Sequence, residues 1–282
     1  MQLRKATRSK AKIRLGLSAV SGGGKTMSAL LIAKGLAGGD LSKVALIDTE
    51  NGSGDLYAHL GDYQVLPLEA PYTPERYIEA IRACENAGVE VIIVDSITHE
   101  WDGKGGVLDI SNSMTGNSYT NWAKLTPRHN AFVDTILQSP CHIITTVRRK
   151  QDYEMTKDSQ GKVKVEKVGL KEVTREGFEY EVTINMELDI KHNATVSKDR
   201  TGLFMDKPEF VPTEETGKAI LAWCETGSEP EKTPLQNALE EIKGAKSIAE
   251  LTAIKGKYSQ EVVESEAFKS AGKAKYDKLP KA

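Results

Sequence analysis

Cysteine is scarce in this chain, with three in 282 residues, Cys84, Cys141 and Cys224. An odd number, widely spaced and in no metal-ligand pattern, argues against a disulfide framework or a zinc site and for buried thiols in a reducing compartment. No apolar run is long enough to span a bilayer. The first residues, with Arg4, Lys5 and Arg8, lack the apolar stretch of a secretion signal. The expectation is therefore a cytoplasmic protein without a membrane partner. Neither sign of charge is in excess: 38 basic residues face 40 acidic ones, for a net charge of −2. A surface for an anionic polymer must then be local. There is no repeat of solenoid period and no low-complexity tract. The length allows one large α/β domain with an appendage.

What the chain does have is the stretch Ala19-Val20-Ser21-Gly22-Gly23-Gly24-Lys25-Thr26. Residues 12–18 alternate polar and apolar as a strand does, and residues 27–36 carry Leu30, Leu31 and Ala33 in helical spacing. A strand, a glycine-rich turn, Lys-Thr and a helix make a phosphate cradle. Glycines let successive N–H groups point inward without Cβ clashes, and the helix N-terminus adds positive potential. The expected phosphate-binding set is Ser21, Gly22, Gly23, Gly24, Lys25, Thr26 and Met27. Lys25 would reach the β- and γ-phosphates and Thr26 would place its hydroxyl on Mg²⁺. Ala19 stands where the strict pattern has glycine.

Two further strands end in acids. Residues 43–48 run into Asp48-Thr49-Glu50-Asn51-Gly52, and Val91-Ile92-Ile93-Val94 into Asp95-Ser96. In an open parallel sheet, ligands sit beyond the carboxyl ends of the strands. Glu50 there can deprotonate an attacking water, or both Asp48 and Glu50 can simply cap the turn. Asp95 would hold Mg²⁺ together with Thr26. Residues 141–147 form another buried strand, on which His142 reads as core. It ends in Arg148-Arg149-Lys150, cations that would sense a γ-phosphate or meet DNA.

The rest of the chain is less specific. Residues 1–14 hold six bases and no acid, Arg14 among them, and read either as an arm on a phosphate backbone or as a solvated leader. Residues 101–121 read as a long loop containing Tyr119, before a helix over 122–138 that Pro127 would kink or delay. Residues 152–169 read as a hairpin whose Lys/Val alternation, with Lys162 and Lys164, gives either a basic ribbon for single strands or a guarded edge. A strand is expected over 180–189 and another over 193–197, followed by Lys198-Asp199-Arg200, whose two cations would point the same way. A helix over 213–224 closes the core. Residues 227–234 read as a linker, and two helical patterns follow at about 235–244 and 247–275. The domains expected are a basic arm (1–11), an ATPase core (12–227) and a helical appendage (228–282).

Taken together, these residues resemble the RecA-type ATPase core, and the small phage RecA-like proteins in particular, over about residues 12–225. The carrying feature is Ile47-Asp48-Thr49-Glu50, a glutamate after the second strand, with Asp95 followed by Ser96. Lys198-Asp199-Arg200 is similar to the Lys-Asn-Arg stretch with which RadA-type members reach a neighbour's nucleotide. The resemblance implies an α/β fold with a mostly parallel sheet flanked by helices. It implies an ATP hydrolase using ATP and Mg²⁺, with Glu50 and Lys25 catalytic and Lys198 and Arg200 acting across a subunit interface. It implies a ring or filament that binds single-stranded DNA in phage-type recombination, annealing or repair, inside a host bacterium. A single-strand binding protein or helicase is a further expected partner. Where RecA has a glutamine sensor this chain has Arg148 and Arg149, and Tyr119, Lys162 and Lys164 would lie in its DNA-binding loops. Two other readings stay open: a nucleotide-dependent loader that recruits a helicase or recombinase through the C-terminal helices, and a small-molecule kinase.

Overall fold

The computed structural model describes residues 10–157, 163–227, 234–277 and 279. They form two compact units, Ala11–Thr226 and the residues from Gly227 onward. No helix among the described residues is long and apolar enough to cross a membrane.

The first unit is laid down as β1 (Arg14–Ala19), α1 (Lys25–Leu36), β2 (Val44–Asp48), β3 (Gln64–Pro67), α2 (Pro74–Asn86), β4 (Val91–Asp95), α3 (Thr98–Asp102), α4 (Val107–Ser113) and α5 (Ser118–Gln138). Then come β5 (His142–Lys157), β6 (Val163–Glu172), α6 (Phe178–Glu181), β7 (Ile184–Leu188), β8 (Ala194–Asp199) and α7 (Glu214–Glu225). The sheet runs β3-β2-β4-β5-β1-β7-β8, with β6 paired to β5. All pairs from β3 to β7 along this path are parallel, and β8 and β6 are antiparallel additions. This is the mixed α/β fold with a mostly parallel sheet flanked by helices that the resemblance implies.

Parallel strands covered on both faces must be apolar throughout, and β4 shows the result. Val91 and Ile93 enter the core beneath α1, while Ile92 and Val94 enter the one beneath α2 and α5. Helices α1 and α7 approach unusually closely. A Cβ on Gly35 would lie 2.1 Å from the Glu214 carbonyl oxygen.

Several local expectations are corrected. Residues 101–121 are not one loop: α3, α4 and the first turn of α5 occupy most of them. Helix α5 starts at Ser118, capped by the Asn117 side chain, and runs through Pro127. The strand expected from residue 180 starts at Ile184, because Phe178–Glu181 close a helical turn first. Arg14 is no part of a DNA-binding arm. It is buried in β1, where its guanidinium donates to the carbonyls of Ile13, Leu137, Ser139 and Cys141. Burial lowers its pKa to about 10. Residues 1–9 of that arm lie outside the described residues. His142 is a core residue as expected, its Nδ1 accepting the Ile13 N–H at 3.1 Å. The three cysteines are buried and form no disulfide.

The second unit contains α8 (Pro234–Gly244), α9 (Ile248–Lys257), α10 (Gln260–Glu264) and α11 (Glu266–Tyr276) around Ile242, Ile254 and Phe268. The pattern over 247–275 thus splits into three helices, with Ser247 and Ser265 capping α9 and α11.

Candidate functional site

The loop after β1 is built for close approach. Gly22 and Gly24 take φ of 79° and 82°, where side chains are strained. A Cβ on Gly23 would stand 2.7 Å from the Ala19 methyl. The missing side chain at Gly23 therefore makes room for the alanine that departs from the strict motif. Helix α1 begins at Lys25 with no side-chain cap and no acid in its first turn. Its first N–H groups are left for an anion.

Strand β5 separates β1 from β4, so the ends of these strands lie two strand spacings apart, about 10 Å. The loop and first turn of α1 bridge that interval. Thr26 Oγ1 donates to Asp95 Oδ2 at 2.6 Å, and Thr146 on β5 donates to the other oxygen. Asp95 is 1% exposed. Burial raises its pKa, against the hydrogen bonds from Thr146 and Thr26. Lys25 Nζ donates to the Val20 carbonyl at 3.4 Å. Burial lowers its pKa, against the charges of Asp95 and Glu50.

The two acids after β2 part company. Asp48 caps the turn, accepting from the N–H groups of Glu50 at 2.6 Å and Gly54 at 3.1 Å. Glu50 faces the cavity instead. Its Oε1 accepts from Ser96 Oγ at 3.0 Å and from Arg148 Nε at 2.9 Å, and its Oε2 from Arg148 Nη2. Burial, the largest influence, pushes the Glu50 pKa up, but Arg148, His99 and Ser96 together bring the net shift downward. Strand alternation separates the two arginines. Arg148 points to Glu50, whereas Arg149 pairs with Glu187 at 2.6 Å and takes no part in lining the cavity. The expectation of a phosphate sensor narrows accordingly to Arg148.

Lys25, Thr26, Glu50, Asp95 and Arg148 line one cavity of about 780 Å³. Ser21, Gly22, Gly24 and Met27 complete its loop side, and Gly23 lies behind them. Sequence reasoning missed Tyr57, His192 and Pro212, which form its walls. His192 leans so closely that a Cβ on Gly24 would be 2.8 Å from its Nδ1. It also missed Thr49, whose hydroxyl accepts from Ser96 N–H and lies 2.8 Å from His99 Nδ1. No sequence motif marks any of these.

The cavity suits a magnesium triphosphate. It offers an uncapped helix end, a desolvated ammonium, and a hydroxyl–carboxylate pair of hard oxygens that matches Mg²⁺. No cluster of three or more His, Cys, Asp or Glu fit for another metal occurs among the described residues.

The remaining expected contacts lie elsewhere. Lys198 donates to the carbonyls of Glu179 and Tyr180, and Arg200 to that of Tyr180 at 3.1 Å. The two cations do point the same way, and neither lines the cavity. Tyr119 is 83% exposed in the first turn of α5. One turn on, Trp122 lies beside Trp101 of α3, ring centroids 5.9 Å apart. Neither tryptophan was singled out from the sequence. Lys162 lies outside the described residues, and Lys164 is placed on β6 by its backbone, opposite Thr156.

A family model described as an AAA domain matches residues 11–215. The chain belongs to this AAA-domain family. Membership makes it a P-loop ATPase, of a family that in general uses ATP and Mg²⁺. The match spans the strands, loop and acids that build the cavity. No curated protein matches the chain.

Proposed function

We propose that this AAA-domain protein is a Mg²⁺-dependent ATPase of RecA-like type that acts on single-stranded DNA in recombination, annealing or repair. The carrying observation is the convergence of Lys25, Glu50 and Asp95 on one cavity at an open helix end. Bound magnesium triphosphate supplies the phosphoanhydride bond and a divalent counter-charge. Lys25 and the N–H groups of the loop hold negative charge, and Thr26 and Asp95 present metal-binding oxygens. Glu50 serves as proton acceptor for water. Arg148 keeps that carboxylate ionised and oriented and adds positive charge where the γ-phosphate would lie.

Two features support the wider reading. Lys198 and Arg200 stand outside their own protomer's cavity, as residues that complete a neighbour's site must. A ring or filament with shared sites follows from that role. Tyr119, Trp122 and Trp101 bring three aromatic rings to α3 and α5, and successive rings stack unpaired bases.

The test combines turnover and fluorescence. ATP hydrolysis is measured with and without a thymidine oligonucleotide, and tryptophan emission is followed on adding the oligonucleotide. Saturable quenching that Trp122→Ala weakens supports the DNA reading. An oligonucleotide that neither quenches nor binds removes it and leaves an ATPase with another target.

A further inference from the structure

The second unit has a feature that its own core does not need. Helices α9 and α11, with α10 between them in the chain, border a groove of about 810 Å³. Its floor is aliphatic, with Ile248, Leu251 and Val263 half-buried above Phe268. Lysines stand around it. Lys255 lies in the last turn of α9, and Lys269 and Lys273, four residues apart on α11, share one face. Two other lysines of the unit are engaged: Lys257 pairs with Glu241, and Lys275 donates to the Lys243 carbonyl. Lys255, Lys269 and Lys273 are exposed and form no ion pair among the described residues. The single acid on the lining, Glu264, accepts from the Gln260 side chain at 2.8 Å.

We infer that this groove binds an acidic amphipathic segment of a partner protein. Apolar side chains of the segment would fill the floor, and its carboxylates would meet Lys255, Lys269 and Lys273. An amphipathic helix laid in an apolar groove is a common mode of peptide recognition, and the unbalanced rim selects the sign of the partner. Charge argues against a second copy, since a two-fold contact through this face would set lysines against lysines. Aliphatic walls argue against a nucleic acid. Single strands need successive aromatic platforms, and here only Tyr276 offers an accessible ring, 44% exposed. The inference concerns the second unit alone and does not depend on how nucleotide is used.

The experiment is an anisotropy titration of the full chain against a short fluorescein-labelled peptide. The peptide carries Leu and Phe at helical spacing among Asp and Glu. A second peptide replaces the acids by Asn and Gln. The expected result is saturable binding of the acidic peptide that falls with added salt, and much weaker binding of the neutral one. The double change Lys269→Glu and Lys273→Glu should weaken binding by about tenfold or more, while Lys269→Arg retains it. Both lysines are exposed, and an unchanged thermal midpoint checks that the variant folds. Failure of the acidic peptide to bind overturns the inference, as does binding that charge reversal leaves unaltered. Displacement of the peptide by a thymidine oligonucleotide would make the groove a nucleic-acid site. Displacement by self-association of the chain would make it an interface between copies. Either of these also overturns the inference.

Discussion

Arg148 and Glu50, 98 residues apart in the chain, grip each other at two points, Nε to Oε1 at 2.9 Å and Nη2 to Oε2. The pair joins the middle of β5 to the turn after β2, and both residues line the cavity. Ser96, directly after Asp95, adds a third hydrogen bond to the same carboxylate. The proposed base is thus fixed from two sides. Fixing it also helps keep it charged: burial is the largest influence and would neutralise it, but Arg148, His99 and Ser96 together hold its pKa below the ordinary value.

Glu50→Gln keeps the size of the side chain and most of its hydrogen bonding but cannot take a proton. ATP turnover should fall by about 10²–10⁴-fold. Binding of a fluorescent ATP analogue should survive. Steady-state phosphate release beside an equilibrium titration checks both. Unchanged turnover would remove Glu50 from the chemistry.

Arg148→Ala should alter the pH profile as well as the rate. With the arginine present, the Glu50 pKa lies below its ordinary value. Without it, burial remains and pushes the pKa up. A carboxylate with a higher pKa is protonated at higher pH, so the acid limb of the rate profile should move upward in pH. An acid limb that stays in place in the variant would show that another group limits the rate there.

Close packing of α1 on α7 gives a stability prediction that is independent of nucleotide. In Gly35→Ala the new methyl group would meet the Glu214 carbonyl at 2.1 Å and the Gly217 Cα at 2.7 Å. Both are backbone atoms, so one helix must shift. The cost should be about 1–3 kcal/mol. Gly256→Ala, in α9 with nothing within 4 Å of the added carbon, should be neutral or stabilising by up to about 1 kcal/mol. Thermal unfolding of the two variants gives the comparison.

His142 should make the first unit sensitive to acid. Burial lowers its pKa from 6.5 to about 3. Below pH 6.5 the unfolded chain takes up a proton that the folded chain refuses. Its contribution to stability is therefore present above that pH and is lost as pH falls toward 3, at up to about 1.4 kcal/mol per pH unit. Urea unfolding across this range should show a slope that His142→Asn reduces. Equal slopes would assign the acid sensitivity to other groups.

Much of this was legible in the sequence where the signal is local. The phosphate loop, the acid after β4 and the glutamate after β2 each sit at the end of an apolar run, and a parallel sheet brings such ends together. Without the resemblance that chose Glu50, residue type alone could not separate it from Asp48, because capping a turn and facing a cavity differ by a backbone rotation. Nor could it separate Arg148 from Arg149, since the face each takes depends on where β5 begins its pleat. Arg14 misled for a related reason. A cation next to five others looks like an arm until the carbonyls of residues 137–141 are seen to converge on it. The walls given by His192 and Pro212 come from segments more than 160 residues beyond the loop, and nothing local marks them.

If one cavity holds a magnesium triphosphate with Lys25 as its main cation, nucleotide should stabilise the fold through that lysine. Thermal unfolding of wild type and Lys25→Ala, with and without ATP and Mg²⁺, measures this. At nucleotide concentrations near a hundred times Kd, ATP should stabilise the wild type by about 2.7 kcal/mol. It should do little for Lys25→Ala, whose midpoint without nucleotide stays close to that of the wild type. Equal stabilisation of both proteins by ATP would contradict the claim and place the nucleotide elsewhere.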